Sequence, residues 1–168
     1  FFSFCTPKKG PPIHIDFTLD RPSLQSIDSL EKSHHGVRAY ARYTIPVDNE
    51  YFPNADKFNL AQPVIYIRDT AQLRTVVSYF YSERDSVVRL IEYAWNTSAK
   101  RPKNIEKLYE LSKATLSRYC NHEGKETEEK HADWSQKATV WQDEYVHVYQ
   151  FMLIEDKPRR TRVLVSWK

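Results

Sequence analysis

The chain has 168 residues, of which 40% are hydrophobic, 14% aromatic and 28% charged. A chain of this length can bury a core as one domain without disulfide or metal staples. The formal net charge is +3, from 25 basic and 22 acidic residues, so the composition lacks the clustered basic excess of a nucleic-acid-binding domain. No stretch of the sequence reaches the ~18 consecutive apolar residues of a membrane span.

The first residues are typical of the end of a hydrophobic export segment. Phe1 to Phe4 are mostly apolar, Cys5 follows directly, and a polar, proline-containing stretch continues to Pro12. A cysteine at this place indicates a lipid-attachment site, although Phe4 stands where such signals usually carry Gly, Ala or Ser. We therefore predict a stub and tether over 1–12, lipid attachment at Cys5, and a single domain over 13–168. The alternative is that Cys5 is a buried residue of a first strand or loop.

Alternation of apolar and polar residues predicts most of the first half to be strands. A short helix is predicted from Pro22 or Ser23, with Gly36 as its stop. A polar excursion over 48–63, with one helical turn, interrupts the strands, and long connections of this kind are often functional. The predicted strands are 13–19, 37–45, 63–68, 73–81 and 87–95.

The segment 73–95 predicts a β-hairpin, because two runs of β-branched and aromatic residues flank a short polar turn. In the second run, Ile91, Tyr93 and Trp95 share one face. Val88, Leu90 and Glu92 share the other. Both faces are largely apolar, which indicates an inner strand covered on two sides.

The pattern then changes to helical spacing over 102–120, with Ser98 a possible upstream cap and Asn121 and Gly124 as stop residues. The acidic run 123–133 has no apolar stripe and is predicted to be an exposed loop. A strand over 138–142 and a terminal hairpin, 145–154 with 161–168, complete the chain. The predicted fold class is α+β: a twisted, mainly antiparallel sheet of hairpins with one long helix packed on one face.

The sequence contains no specific catalytic motif, phosphate loop or dinucleotide fingerprint. Cys120, His122 and His131 could approach a metal ion, but their spacing departs from that of zinc sites. The basic turn 157–162 is offset by neighbouring acidic residues, so nucleic-acid binding is not favoured. We predict no cofactor, no metal and no catalytic residue.

Aromatic side chains on strands suggest a contact surface together with the 48–63 excursion. The candidate residues are Tyr79, Tyr81, Tyr145, His147 and Tyr149. The competing interpretation is that these aromatics pack the core, as most strand aromatics do. Two further alternatives are a hydrolase-like enzyme with scattered groups such as Asp16 and Glu92, and a small-ligand pocket between the helix and the sheet.

The chain resembles small cell-envelope lipoproteins of Bacteroidetes-type bacteria. The resemblance is one of general sequence character over most of the chain and not of a diagnostic motif. It lies in the Phe-rich start with Cys5, the helix with Leu108, Leu111 and Leu116, and the closing Val163 to Lys168. It implies a periplasmic or outer-membrane location, or secretion, and a non-catalytic binding or assembly role. The expected partner is an envelope protein or a glycan, with membrane contact through a lipid anchor alone. The oligomeric state is not indicated.

Overall fold

The computed structural model describes residues 12–44, 48–96 and 104–168. These residues form one eight-stranded antiparallel sheet and two α-helices, so the α+β class is confirmed. The elements are α1 (Ile27–Ser33), β1 (Gly36–Ala39), β2 (Val64–Asp69), β3 (Arg74–Tyr81), β4 (Val88–Asn96), α2 (Ile105–Cys120), β5 (Lys125–Lys130), β6 (Ser135–Gln142), β7 (Val146–Ile154) and β8 (Pro158–Trp167).

The strand order is β1-β2-β3-β4-β8-β7-β6-β5. Each half of the chain is a helix followed by four strands that pair in sequence order, and the two halves join where β4 pairs antiparallel with β8. Both helices lie on the same face of the sheet. The two halves therefore share one order of elements, a helix and then four strands, which no sequence motif indicated.

Helix α2 begins and ends as its local sequence dictates. The side chain of Asn104 accepts a hydrogen bond from the backbone N–H of Lys107 at 2.9 Å, which caps the first turn. Asn121 ends the helix in the left-handed conformation, with φ of 58°. The stripe of Leu108, Tyr109 and Leu116 is buried against the sheet.

The sheet separates two hydrophobic clusters. The cluster on the helix face contains side chains of both helices and of residues 13–19, with Phe17 packed edge-on against Tyr93 at 5.0 Å between ring centroids. The opposite face is covered by a long loop, of which residues 40–44 and 48–60 are described. We call this segment the covering loop. Its Phe52 and Phe58 pack on Phe80 and Leu90 of the sheet.

A buried polar network fixes α1 to the sheet. Arg68 of β2 donates from Nε and Nη2 to the two carboxylate oxygens of Glu31, at 2.9 and 2.7 Å. Arg68 also donates to the backbone carbonyl of Asp16 at 3.3 Å, and the Tyr79 hydroxyl donates to Glu31. The contact between Arg68 and Glu31 is bidentate and largely shielded from water, so its geometry specifies how α1 docks on the sheet.

Several predicted element boundaries are wrong. The sheet carries two helices and not one long helix alone: the short helix predicted from Pro22 or Ser23 is present as α1 with its preceding 3-10 turn (Leu24–Ser26). Residues 13–19 belong to no strand, and β1 stops at Ala39 instead of continuing toward residue 45. The acidic run predicted as a loop contains β5, an edge strand whose six residues are all exposed.

A β-bulge places Val88 and Leu90 of β4 on opposite faces of the sheet, although the alternation predicted one shared face. The pairing with β3 shifts between Phe80 and Tyr81, so that Tyr81 lies opposite Val88 and Phe80 opposite Leu90. An extra residue in one strand moves the following side chain to the other face. Val88 accordingly packs in the cluster on the helix face, whereas Leu90 packs under the covering loop.

Cys5, where lipid attachment is predicted, the stub and tether up to residue 11, and the proposed cap Ser98 lie outside the described residues. Among the residues that are described, no helix has the length and apolar character needed to cross a bilayer.

Candidate ligand-binding cleft

A cleft of about 330 Å³ opens on the loop-covered face of the sheet. The covering loop packs on β3 and β4, and residues of β8, β7 and β6 line the cleft beside it. The cleft is lined by Tyr43, Thr44, Tyr51, Glu92, Gln136, Tyr149, Phe151, Arg160, Arg162 and Leu164. A concave, aromatic-walled cleft with a few converging polar groups is the usual form of a small-ligand site.

Strand register brings the lining residues of the sheet together. Leu164 of β8 lies opposite Glu92 of β4 on one side and Tyr149 of β7 on the other. Arg162 lies opposite Phe151, one same-face position along β8 from Leu164. Glu92 and Arg162 are therefore diagonal neighbours across β4 and β8, within reach of long side chains.

Glu92 and Arg162 form an ion pair in the floor of the cleft. Arg162 Nη1 donates to Glu92 Oε2 at 3.1 Å. The Tyr43 hydroxyl donates to Glu92 Oε1 at 3.2 Å and also contacts the Ser78 hydroxyl. Both carboxylate oxygens of Glu92 are thus occupied, which keeps this buried charge satisfied.

A second group of polar contacts lies at the Tyr149 end of the cleft. Gln136 Nε2 donates to the Tyr149 hydroxyl at 3.1 Å, and that hydroxyl contacts Glu50 Oε1 at 3.4 Å. The ring of Tyr149 packs between Tyr51 and Phe151, with centroid distances of 5.6 and 6.0 Å. These three rings form an apolar wall with polar groups at its end.

The two tyrosines of the polar groups remain protonated over the physiological range. Burial, followed by the negative charge of Glu92, raises the pKa of Tyr43. Burial, followed by the negative charge of Glu50, raises the pKa of Tyr149. Both hydroxyls therefore act as neutral hydrogen-bonding groups and not as bases.

The proposed contact residues are not brought together as one exposed surface. Tyr79 is buried on the helix face against Glu31, and Tyr81 is half-buried on that same face. His147 and Tyr149 are buried on the loop-covered face. The alternation of β7 placed these two on one face correctly, and Tyr149 packs against Tyr51 of the covering loop, whose route the sequence did not predict.

Tyr145 is the one candidate with a strongly exposed side chain, at 75%. It lines an open hollow of about 550 Å³ at the end of the sheet, together with Arg21, Tyr119 and Trp167. This hollow is on a different part of the surface from the cleft and shares none of its lining residues.

The alternative chemistries find little geometric support. Asp16 interacts with His34 beside α1, at 3.7 Å, whereas Glu92 lies on the opposite face of the sheet, so they do not form a carboxylate pair. The His122 ring contacts the backbone of Glu123, and His131 stacks on Trp134. No group of three or more His, Cys, Asp or Glu side chains is placed to hold a metal ion within 12–44, 48–96 and 104–168.

The predicted pocket between helix and sheet is replaced by packed core. Tyr109 of α2 contacts the Thr139 hydroxyl at 2.8 Å, and Trp141 Nε1 donates to Ser117 at 3.3 Å. Burial raises the pKa of the Cys120 thiol, at the end of α2, to about 11. A thiol with this pKa is largely protonated at neutral pH and therefore a weak nucleophile.

The sequence analysis named Glu92 and the basic turn that contains Arg162 in separate hypotheses, and it missed Tyr43 and Tyr51 of the covering loop. One signal could have indicated the ion pair: Glu92 lies on an otherwise apolar inner strand, and a buried carboxylate needs a partner. Comparison with known proteins supplies no further guidance: no family model, no curated protein and no solved structure matches this chain.

Proposed function

We propose that this protein is a non-catalytic binding module that holds a small ligand in the cleft beneath the covering loop. The observation that carries the proposal is the Glu92–Arg162 pair. It presents charged and hydrogen-bonding groups at the floor of a cavity whose walls are aromatic. A buried ion pair contributes little net stability compared with apolar packing, so its presence at an accessible cleft favours a recognition role.

The arrangement favours binding over hydrolysis. Two carboxylates placed across a cavity from each other would favour acid–base chemistry. The lining of this cleft has one carboxylate, and Arg162 and Tyr43 occupy both of its oxygens. The tyrosine hydroxyls stay protonated, so they position a ligand instead of abstracting a proton.

A fragment screen by ligand-observed NMR, followed by amide shift mapping on the labelled protein, tests this proposal. Ligands should shift resonances of the covering loop and of residues around Glu92, Tyr149 and Arg162, and should be recovered chemically unchanged. Phe151→Trp should fill the cleft and abolish binding. Tyr145→Ala, at the separate exposed hollow, is the matched control and should bind normally. Ligands that shift only residues around Tyr145, or that are converted to products, would contradict the proposal.

The sequence at the start of the chain supports a proposal about location. The apolar run before Cys5, the tether and the resemblance to envelope lipoproteins favour an exported module, either lipid-anchored through Cys5 or secreted. Its partner would then be an envelope glycan or protein. Mass spectrometry of the native protein decides the anchor: a diacylglyceryl adduct on Cys5 is expected, and an unmodified Cys5 with residues 1–4 attached excludes it.

A further inference from the structure

We infer that the cleft selects ligands with a carboxylate on a six-membered ring, and that Arg160 is the residue that binds the carboxylate. This inference rests on the proposed binding function and adds the chemical class of the ligand. It follows from the balance of charges in the cleft, from the position of Arg160 and from the aromatic wall.

The charged residues of the lining are Glu92, Arg160 and Arg162. Glu92 and Arg162 neutralise each other. Arg160 forms no ion pair with any carboxylate in the described part of the chain. The nearby Glu155 is engaged by Arg159 at 3.0 Å. Arg160 is therefore the charged side chain of the lining that has no ion-pair partner among the described residues, and it is available to an anionic group of a ligand.

Arg160 projects on the same face as the cleft floor. It lies opposite Leu153 of β7, whereas Arg162 lies opposite Phe151. Burial, followed by the positive charge of Arg162, lowers the pKa of Arg160, yet an arginine side chain remains charged near neutral pH. A planar guanidinium offers paired N–H donors that match the two oxygens of a carboxylate.

The cleft is also polarised across its width. Arg160 lies on the β8 side, opposite Leu153 of β7. The Tyr149 hydroxyl, with Gln136 and Glu50 around it, lies on the β6 side, where Gln136 is opposite the same Leu153. Glu50 on that side disfavours a second anionic group there, so a neutral hydroxyl suits the Tyr149 side. The space between them is bounded by the rings of Tyr51, Tyr149 and Phe151 and suits the flat side of a ring.

The volume restricts the ligand further. About 330 Å³ lies at the lower end of the range for small-molecule sites, which suits a single ring better than an extended molecule. An aromatic acid and a sugar acid share this chemistry: one carboxylate, one six-membered ring and a hydroxyl at the far side.

Binding of matched acid and neutral probes tests the inference. Titration calorimetry would compare 4-hydroxybenzoate with 4-hydroxybenzamide, and glucuronate with methyl glucoside. At least one acid should bind about tenfold to a hundredfold more tightly than its neutral counterpart, the range of a charge-assisted hydrogen-bonded contact. The pair that shows the preference identifies an aromatic or a sugar source.

Arg160→Gln should abolish the preference for the acid while leaving the neutral probe's affinity unchanged. Arg84→Gln is the matched control, because Arg84 is an exposed arginine in the turn between β3 and β4 and does not line the cleft. Thermal melting checks that both variants fold, as expected for exposed positions. If acid and neutral probes bind in the cleft with equal affinity, the inferred preference for a carboxylate is wrong, while the proposed binding function stands. Failure of all probes to bind there, with failure of the wider fragment screen, would overturn the proposed function as well.

Discussion

Glu92 and Arg162 form an ion pair in which the two partners are unequally buried. The carboxylate of Glu92 is 3% exposed and the guanidinium of Arg162 is 29% exposed. Removing one partner of such a pair leaves the other charge to find compensation. The cost of losing each partner should therefore differ, because water can reach Arg162 but hardly reaches Glu92.

This asymmetry predicts that Arg162→Gln destabilises the protein more than Glu92→Gln. Arg162→Gln strands a buried carboxylate and should lower the free energy of unfolding by about 3–5 kcal/mol. Glu92→Gln leaves a solvated guanidinium and an amide that can still accept from Tyr43, and should cost about 1–2 kcal/mol. Urea denaturation followed by circular dichroism measures both. Equal losses would contradict the burial argument.

Replacing Arg68 tests the network that docks α1. Arg68→Met leaves the fully buried Glu31 carboxylate without its bidentate partner, and should lower the free energy of unfolding by about 3–5 kcal/mol. The double variant Glu31→Leu with Arg68→Met removes both charges and should be more stable than Arg68→Met alone. Arg74→Met, which removes an exposed ion pair with Asp69, is the control and should change stability by less than about 1 kcal/mol.

A side chain at residue 36 should disturb the contact between Arg68 and Glu31, because Gly36 lies directly against Glu31. A Cβ at residue 36 would overlap the Glu31 carboxylate and lie 3.1 Å from the Glu31 backbone oxygen. Gly36→Ala should therefore displace α1 and cost about 1–3 kcal/mol, as overpacking does. The neighbouring Val37 is 69% exposed, so Val37→Ala should have little effect. Thermal unfolding compares the two, and an unchanged melting temperature for Gly36→Ala would show that α1 docks differently.

The buried His147 should make the free energy of unfolding depend on pH. Burial, followed by the positive charge of Lys168, lowers its pKa from 6.5 to about 4, and its Nδ1 has no hydrogen-bond partner among the described residues. Between these two values the unfolded chain binds a proton that the folded chain does not. The contribution of His147 to the free energy of unfolding is therefore fully present above pH 6.5. It decreases as the pH falls toward 4, by at most about 3 kcal/mol.

Denaturant titrations at several pH values between 7.5 and 4.5 measure this effect. His147→Gln should show a shallower fall in the free energy of unfolding than the wild type. His122→Gln, which removes an exposed histidine, should retain the wild-type slope. Identical slopes for the wild type and His147→Gln would show that His147 is solvated in the folded protein.

The sequence predicted elements well where local pattern and tertiary role agree. Both hairpins and α2 were found because alternation and helical spacing reflect which side chains are buried. Residues 13–19 show the limit of this inference: Ile15 and Phe17 are buried as the alternation predicts, yet the segment packs on the core without joining the sheet. Alternation indicates burial, and does not by itself establish strand pairing.

Strand β5 was missed for the opposite reason. Neither of its faces is buried, so its sequence carries no apolar period to detect. Charged residues on an edge strand also protect it from pairing with other chains. The cleft was not predicted because its residues are joined by the register of β4 with β8 and by the path of the covering loop, which are set by contacts between distant parts of the chain.

The most direct test of the account is a crystal structure, or an amide shift map, of the protein with a ring carboxylate bound. We expect the ligand to lie beneath the covering loop against Tyr149 and Phe151, with its carboxylate on Arg160. A ligand that binds instead at the hollow lined by Tyr145, or on the helix face of the sheet, would contradict it.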